Sequence, residues 1–263
     1  MERHNMTVRL AGVDELLYSI SQDDSDVELA LLELWDMLKE DRGDPLRLSD
    51  IIPHVLLRVR GEQECYDFIK WWAFHGSKSS IDNRNLPFFN TKGANACESP
   101  HALLQTGLSL SHLVALTLLK LRLFLDLDAI SSSWFDNSFG FDGNIAPIDR
   151  PLGELAEGIF ESSDSSRVER LARDIQKQYL DLCKRVSATN SYFWEGLVTD
   201  ELPSAPGPYG FGSLDEARLV LHHCRRAWDE SKDALVMVEA DFARYFRAYE
   251  GPKTMDIPIF LER

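Results

Sequence analysis

The stretch that most restricts how this chain can fold is Leu108 to Leu127, LSLSHLVALTLLKLRLFLDL, apolar along nearly its whole length. It is long enough for a bilayer, but His112, Lys120, Arg122 and Asp126 interrupt it. A charge at mid-bilayer costs roughly 2.5–3.5 kcal/mol even on lenient insertion scales. The run therefore predicts a buried central helix, near residues 108–127, around which the rest of the chain must pack. With 263 residues and 44% hydrophobic content there is enough apolar surface to cover such a helix within a single compact domain. The opening MERHNMTVRL has scattered charges and no apolar core of a leader, so a cytoplasmic, non-membrane protein is the expectation.

The flanking segments carry helical periodicity. At 100° per residue Val27, Leu31, Leu34 and Leu38 fall within an arc of about 60°, a core stripe that Gly43-Asp44-Pro45 should end. Val13 to Ile20 precedes it as a short amphipathic piece. Ser49 or Asp50 is placed to cap IIPHVLLRVR, with Pro53 tolerated in its first turn, and EQECYDFIKWWAFH follows a pause at Gly61. Ser166-x-x-Glu169 and Ser213-x-x-Glu216 have the form of capping boxes opening two later helices, and Asp233 to Tyr249 forms a last helical run. Long loops are expected near 76–100, 131–151 and 199–212, with an extended tail to Arg263. No alternation of strand and helix patterns is visible, so the fold class is all-α.

Four dispersed cysteines, Cys65, Cys97, Cys183 and Cys224, form no zinc-ligand spacing and suggest free thiols. The sequence has no Walker loop, no dinucleotide fingerprint and no HExxH, and the reading calls for no cofactor and no metal. The formal charge of −15 is uneven: from Ala11 to Asp41 ten acidic residues stand against Lys39 alone, which concentrates negative potential in one short segment.

Four constellations could carry chemistry. Asp24 and Glu28, four apart and flanking Asp26, could face a partly buried recess and hold a guanidinium or a divalent ion; equally, Ser25 to Glu28 is a capping box favoured by the helix dipole. Arg58 to Trp72 gathers Arg58, Arg60, Glu62, Glu64, Tyr66, Asp67, Lys70 and Trp71, a density suited to a nucleotide, amino acid or nucleic-acid end, or to a salt-bridged helix closing the core. In the central helix Ser109, Ser111, His112, Lys120 and Arg122 must either satisfy each other or line a cavity, and His112 is either a proton-moving group or a satisfied core histidine. Finally, Arg170, Arg173, Lys177 and Lys184 share one face of the helix after Ser166, a stripe that fits a phosphate backbone or a solvated surface.

The stretches VRLAGVDELL, DPLRLSDIIPHVLLRVRGEQECYDFIKWW, LPFFNTKGAN and LSHLVALTLLKLRLFLDL resemble blocks of a family of fungal proteins, the arginine-containing cyclodipeptide synthases. The similarity runs from about Val8 to Asp128, with weaker echoes in SYFWEGL and SLDEARLVLHHCRRAW. The resemblance implies an enzyme that joins arginine, from arginyl-tRNA, and a second amino acid, from another aminoacyl-tRNA, into a diketopiperazine. It also implies an essential acidic D-D-x-x-E motif, whose nearest match is Asp24-Ser25-Asp26-Val27-Glu28, with Ser25 at the second acidic position. On that implication Asp24, Asp26 and Glu28 receive the arginyl group, and Arg58, Arg60 and Lys70 hold the tRNA acceptor end among the substrate-binding residues Glu62, Glu64 and Trp71. Tyr66, Asp67 or His112 would move protons, and the basic stripe from Arg170 to Lys184 would meet the tRNA. Aminoacyl esters are already activated, which agrees with the missing ATP motif. Two other classes stay open from the residues: a helical binding or scaffold protein without catalysis, and a magnesium-dependent helical lyase.

Overall fold

A computed structural model describes residues 2–18, 24–41, 43–76, 91–139, 151–199 and 209–242, with side chains of 2–5, 18 and 134–139 left aside. The chain is all-α: the described residues form helices and turns, with no strand among them. In order these are α1 (Glu2–Tyr18), α2 (Asp24–Glu40), a 3-10 turn (Leu48–Asp50), α3 (Ile52–Arg58), α4 (Glu62–His75), α5 (His101–Leu104), α6 (Leu110–Phe139), α7 (Glu154–Ser162), α8 (Ser165–Thr189), α9 (Phe193–Val198), α10 (Leu214–Asp229) and α11 (Lys232–Asp241).

The expected central helix is α6. From Leu110 to Leu127 it is buried on nearly every side, with α8 packed most extensively along it and α3, α4, α7, α10 and α11 around the rest. The buried apolar residues form one continuous core from Met6 to Val238. Its interior cations, Lys120 and Arg122, are satisfied by the protein. Lys120, fully buried, donates to the Ala96 carbonyl (2.6 Å), the Glu98 carbonyl (2.9 Å) and Gln178 Oε1 (2.6 Å). Burial lowers its pKa to about 8. Arg122 donates to the carbonyls of Leu57 (2.6 Å) and Ala227 (2.9 Å) and to Ser231 Oγ (2.8 Å). A helix that looks like a membrane span is thus a core whose polar atoms pin surrounding segments. No helix of the described residues is long and apolar enough to cross a membrane.

Several boundaries differ from expectation. Helix α6 runs on through 131–139 instead of giving way to a loop at Ser131; Ile130 is still buried, and Ser133 Oγ donates back to the Ile130 carbonyl (2.8 Å), which spends the hydroxyl inside the helix. Helix α1 is seventeen residues long, and the expected piece from Val13 is only its last part. Helix α8 is capped by Asp164, whose carboxylate accepts the Arg167 N–H (2.8 Å), and the Ser166 box is displaced two residues into the helix. Neither Ser49 nor Asp50 caps α3. Asp44 instead reaches forward to the N–H groups of Leu48 (2.6 Å) and Ser49 (3.1 Å). The Ser213 cap forms as expected, and Glu216 turns back to the N–H of Gly212 (2.6 Å), where the backbone needs the left-handed φ of 73°. The inner parts of the three expected loops, Asp23, the end of the last helical run and the tail to Arg263 lie outside the described residues.

Candidate functional site

The site begins at the turn between α3 and α4. Helix α3 ends at Arg58, Arg60 takes a left-handed φ of 60°, and Gly61 lets α4 restart toward Glu62. This reversal aims Arg58, Arg60 and Glu62 at a common space. The α10–α11 junction faces it with Asp229, Glu230, Ser231, Lys232 and Asp233, α6 supplies Arg122, Leu125 and Asp126, and Pro151 to Gly153 close the remaining side. The resulting cavity is about 350 Å³, at the small end of ligand sites.

Its inner wall is a bridge of charges. Asp126 accepts the Gly153 N–H (2.9 Å). Glu62 lies so close to Gly153 that a Cβ there would stand 2.3 Å from its Oε2, and the Leu155 N–H favours its charged form. The two carboxylates sit against the start of α7, and the charge of Arg122 offsets that of Glu62. Burial raises the pKa of Glu62 above the usual carboxylate range, and the field of Arg122 opposes that shift. Arg58 donates to Glu230 (2.9 Å) and to the Leu17 carbonyl (3.1 Å), bringing the end of α1 to the same region.

Of the residues singled out in the sequence, Arg58, Arg60 and Glu62 meet here with Arg122 of the central helix, and the others do not. Asp24 and Glu28 are exposed in the first two turns of α2 and Asp26 is half-buried, and none of the three lines this cavity. The physical reason is the stripe itself: Val27, Ala30, Leu34 and Leu38 take the inward face of α2 and turn Asp24 and Glu28 to water. Glu64 is exposed, and Trp71 is buried with its ring stacked on His75 (5.2 Å).

Tyr66, Asp67 and Lys70 form a second polar cluster that holds the segment 93–98. Tyr66 donates to Glu98 Oε1 (2.6 Å), Lys70 pairs with the same carboxylate, and Asp67 accepts the N–H groups of Gly93 (2.7 Å) and Ala94 (2.8 Å). His112 is enclosed: Nε2 faces the Ser49 carbonyl (3.0 Å) and Nδ1 faces Ser109 Oγ (3.0 Å), whose hydroxyl donates to Asp50 (2.8 Å). Burial lowers its pKa. These side chains fix loops and helix ends, and all sit away from the cavity wall. Arg170, Arg173, Lys177 and Lys184 are exposed on α8, with local partners: Glu169 for Arg173 (3.9 Å), Asp174 for Lys177 (3.7 Å), Asp181 for Lys184 (3.1 Å) and Ser166 for Arg170 (3.2 Å).

Sequence reasoning offered Arg122 as a residue that could line a cavity, and missed Asp126 and Lys232 as its companions in one site. Arg122 and Asp126 stand four residues apart on one helix face, which was a usable signal. Lys232 gave none. Among the described residues no group of three or more His, Cys, Asp or Glu side chains is arranged to hold a metal ion, and the four cysteines are free.

Fold and site together define an all-α protein with a mixed-charge cavity, among the described residues, at the junction of its central helix with α3, α4 and α11. No family model, curated protein or solved structure matches this chain.

Proposed function

We propose that this chain is a tRNA-dependent synthase that joins arginine and a second amino acid into a diketopiperazine. One observation carries the reading. Two stretches that bear the family resemblance, far apart in sequence, both contribute to the cavity: Leu57, Arg58, Arg60 and Glu62 come from the first, and Arg122, Leu125 and Asp126 from the second. In the reaction each α-amine attacks the other residue's ester carbonyl. Two amide bonds form, two ester C–O bonds break, and each departing ribose oxygen takes up a proton equivalent to the one the amine loses. Such chemistry asks for positioning and proton management, with no further activation. Glu62, buried at the cavity wall with a raised pKa, is better placed for proton transfer than Tyr66, Asp67 or His112.

The test is incubation of the purified protein with arginyl-tRNA and a mixture of other aminoacyl-tRNAs, followed by mass spectrometry. An arginyl diketopiperazine is expected, with Glu62→Gln at least tenfold slower; absence of product from the wild-type protein defeats the proposal. Asp24→Ala and Glu28→Ala, both exposed, should alter stability by no more than about 1 kcal/mol. Loss of arginine use in those variants would therefore assign the acidic motif to the arginyl group, and unchanged product would free it of that role.

One observation favours a second reading, binding without catalysis: the acidic motif is open to solvent, where an ion pair is worth at most about 1 kcal/mol. Tight binding of charged tRNA with no product formed is its signature.

A further inference from the structure

Most carboxylates around the cavity have partners: Asp126 accepts Gly153 N–H through Oδ2 (2.9 Å), while its buried Oδ1 makes no hydrogen bond, Asp229 accepts Arg225 Nε (2.8 Å), Glu230 accepts Arg58 Nε (2.9 Å), and Asp233 has an interaction as well. Three donors keep capacity to spare. Arg60 and Lys232, both exposed and both lining the cavity, have no hydrogen bond or ion pair. Arg122 is buried at the wall, has no carboxylate in direct contact, and spends three of its five N–H groups on Leu57, Ala227 and Ser231, leaving two. Arg60 moreover holds a left-handed backbone, with φ of 60°, that is strained for a non-glycine residue, and this fixes the direction in which its side chain leaves the turn.

We infer that the cavity is an oxyanion receptor, taking one phosphate or carboxylate group between Arg60, Lys232 and Arg122. The exposed groups with unspent hydrogen-bonding capacity here, Arg60 and Lys232, are donors, and guanidinium and ammonium groups are the usual partners of such a group. The overall charge of −15 works against any anion at long range, so binding here must come from these local donors and be selective for the site. The inference concerns the cavity alone and is read from the protein without aminoacyl-tRNA, so it can fail or stand independently of the synthase assay.

The experiment is thermal unfolding with increasing inorganic phosphate at constant ionic strength. The wild-type protein is expected to show a saturable rise in Tm. The double variant Arg60→Asn, Lys232→Gln should lose it, since asparagine tolerates the left-handed backbone and neither parent side chain has a partner to break. Arg60→Lys should retain most of it. An equal rise in wild type and double variant, or a rise that never saturates, overturns the inference, because preferential exclusion of phosphate acts on any fold. Competition then identifies the source: displacement of phosphate by the trinucleotide CCA below the concentration needed for citrate points to an RNA 3′ end, and the reverse order points to a small carboxylate. Displacement by neither also overturns it.

Discussion

Lys120 shows how one residue can hold a segment that has little secondary structure of its own. Its ammonium is buried in the centre of α6 and distributes its three N–H groups over Ala96, Glu98 and Gln178, joining the 96–98 turn to α8 across the core. Replacing it by methionine keeps most of the volume but leaves those three acceptors without their donor. Relief of lysine desolvation offsets part of the loss, and Lys120→Met is expected to destabilise by about 3 kcal/mol, measured as a lower urea midpoint at unchanged m value. Asp67 and Glu98 hold the same turn through separate bonds, so the fold should survive the change. Sequence alone flagged Lys120 as an interruption of the apolar run; which carbonyls it would serve depended on a turn more than twenty residues away.

At the scale of elements, helix ends were readable only where the cap is local. Ser213 and Glu216 satisfy one another's neighbourhood within four residues, so the motif in sequence is the motif in space. Ser213→Ala should cost about 1 kcal/mol, checked by equilibrium denaturation. At α8 two candidate caps compete two residues apart, and Asp164 prevails: its carboxylate takes the Arg167 N–H and the Ser166 hydroxyl, so Ser166 serves the cap instead of forming it. The run of serines after Ile130 misled for another reason. A hydroxyl that bonds to a carbonyl of its own helix does not compete with that helix, and the apolar face of α6 continues to bury residues past the expected end.

At the scale of the molecule, the seam between the 3-10 turn, α3, α6 and α10 holds three histidines, His54 and His112 buried and His223 half-buried. Burial depresses the pKa of His54 well below its ordinary value, lowers that of His112, and brings His223 to about 4. A buried Nδ1 of His54 and of His223 has no hydrogen-bond partner. The folded state therefore favours neutral imidazoles, while the unfolded chain protonates near pH 6.5. Stability from these groups is complete above that value and is lost as pH falls from about 6.5 toward 4. Buried Asp44 and Glu62, whose pKa values are raised, act in the opposite sense, so the comparison with a variant is decisive. Wild-type Tm should decline across this window, and His223→Asn, which keeps a polar side chain without the titration, should decline less steeply. Equal slopes would remove the histidine seam as the cause.

What the sequence determined by itself was periodic or local: the all-α class, the central helix at 108–127, the Ser213 cap, and the gathering of Arg58, Arg60 and Glu62 at one turn. Each depends on residues within a few positions of one another, where helix geometry converts spacing directly into a shared face or end. Tertiary structure alone decided that Asp24 and Glu28 face solvent, and that Tyr66, Asp67 and His112 are occupied in holding loops. It also decided that Lys232, far along the chain, lines the same cavity as Arg60. Those outcomes follow from which helices share the core, and that choice is made by the sum of burial over the whole chain, to which no single motif contributes enough to be decisive.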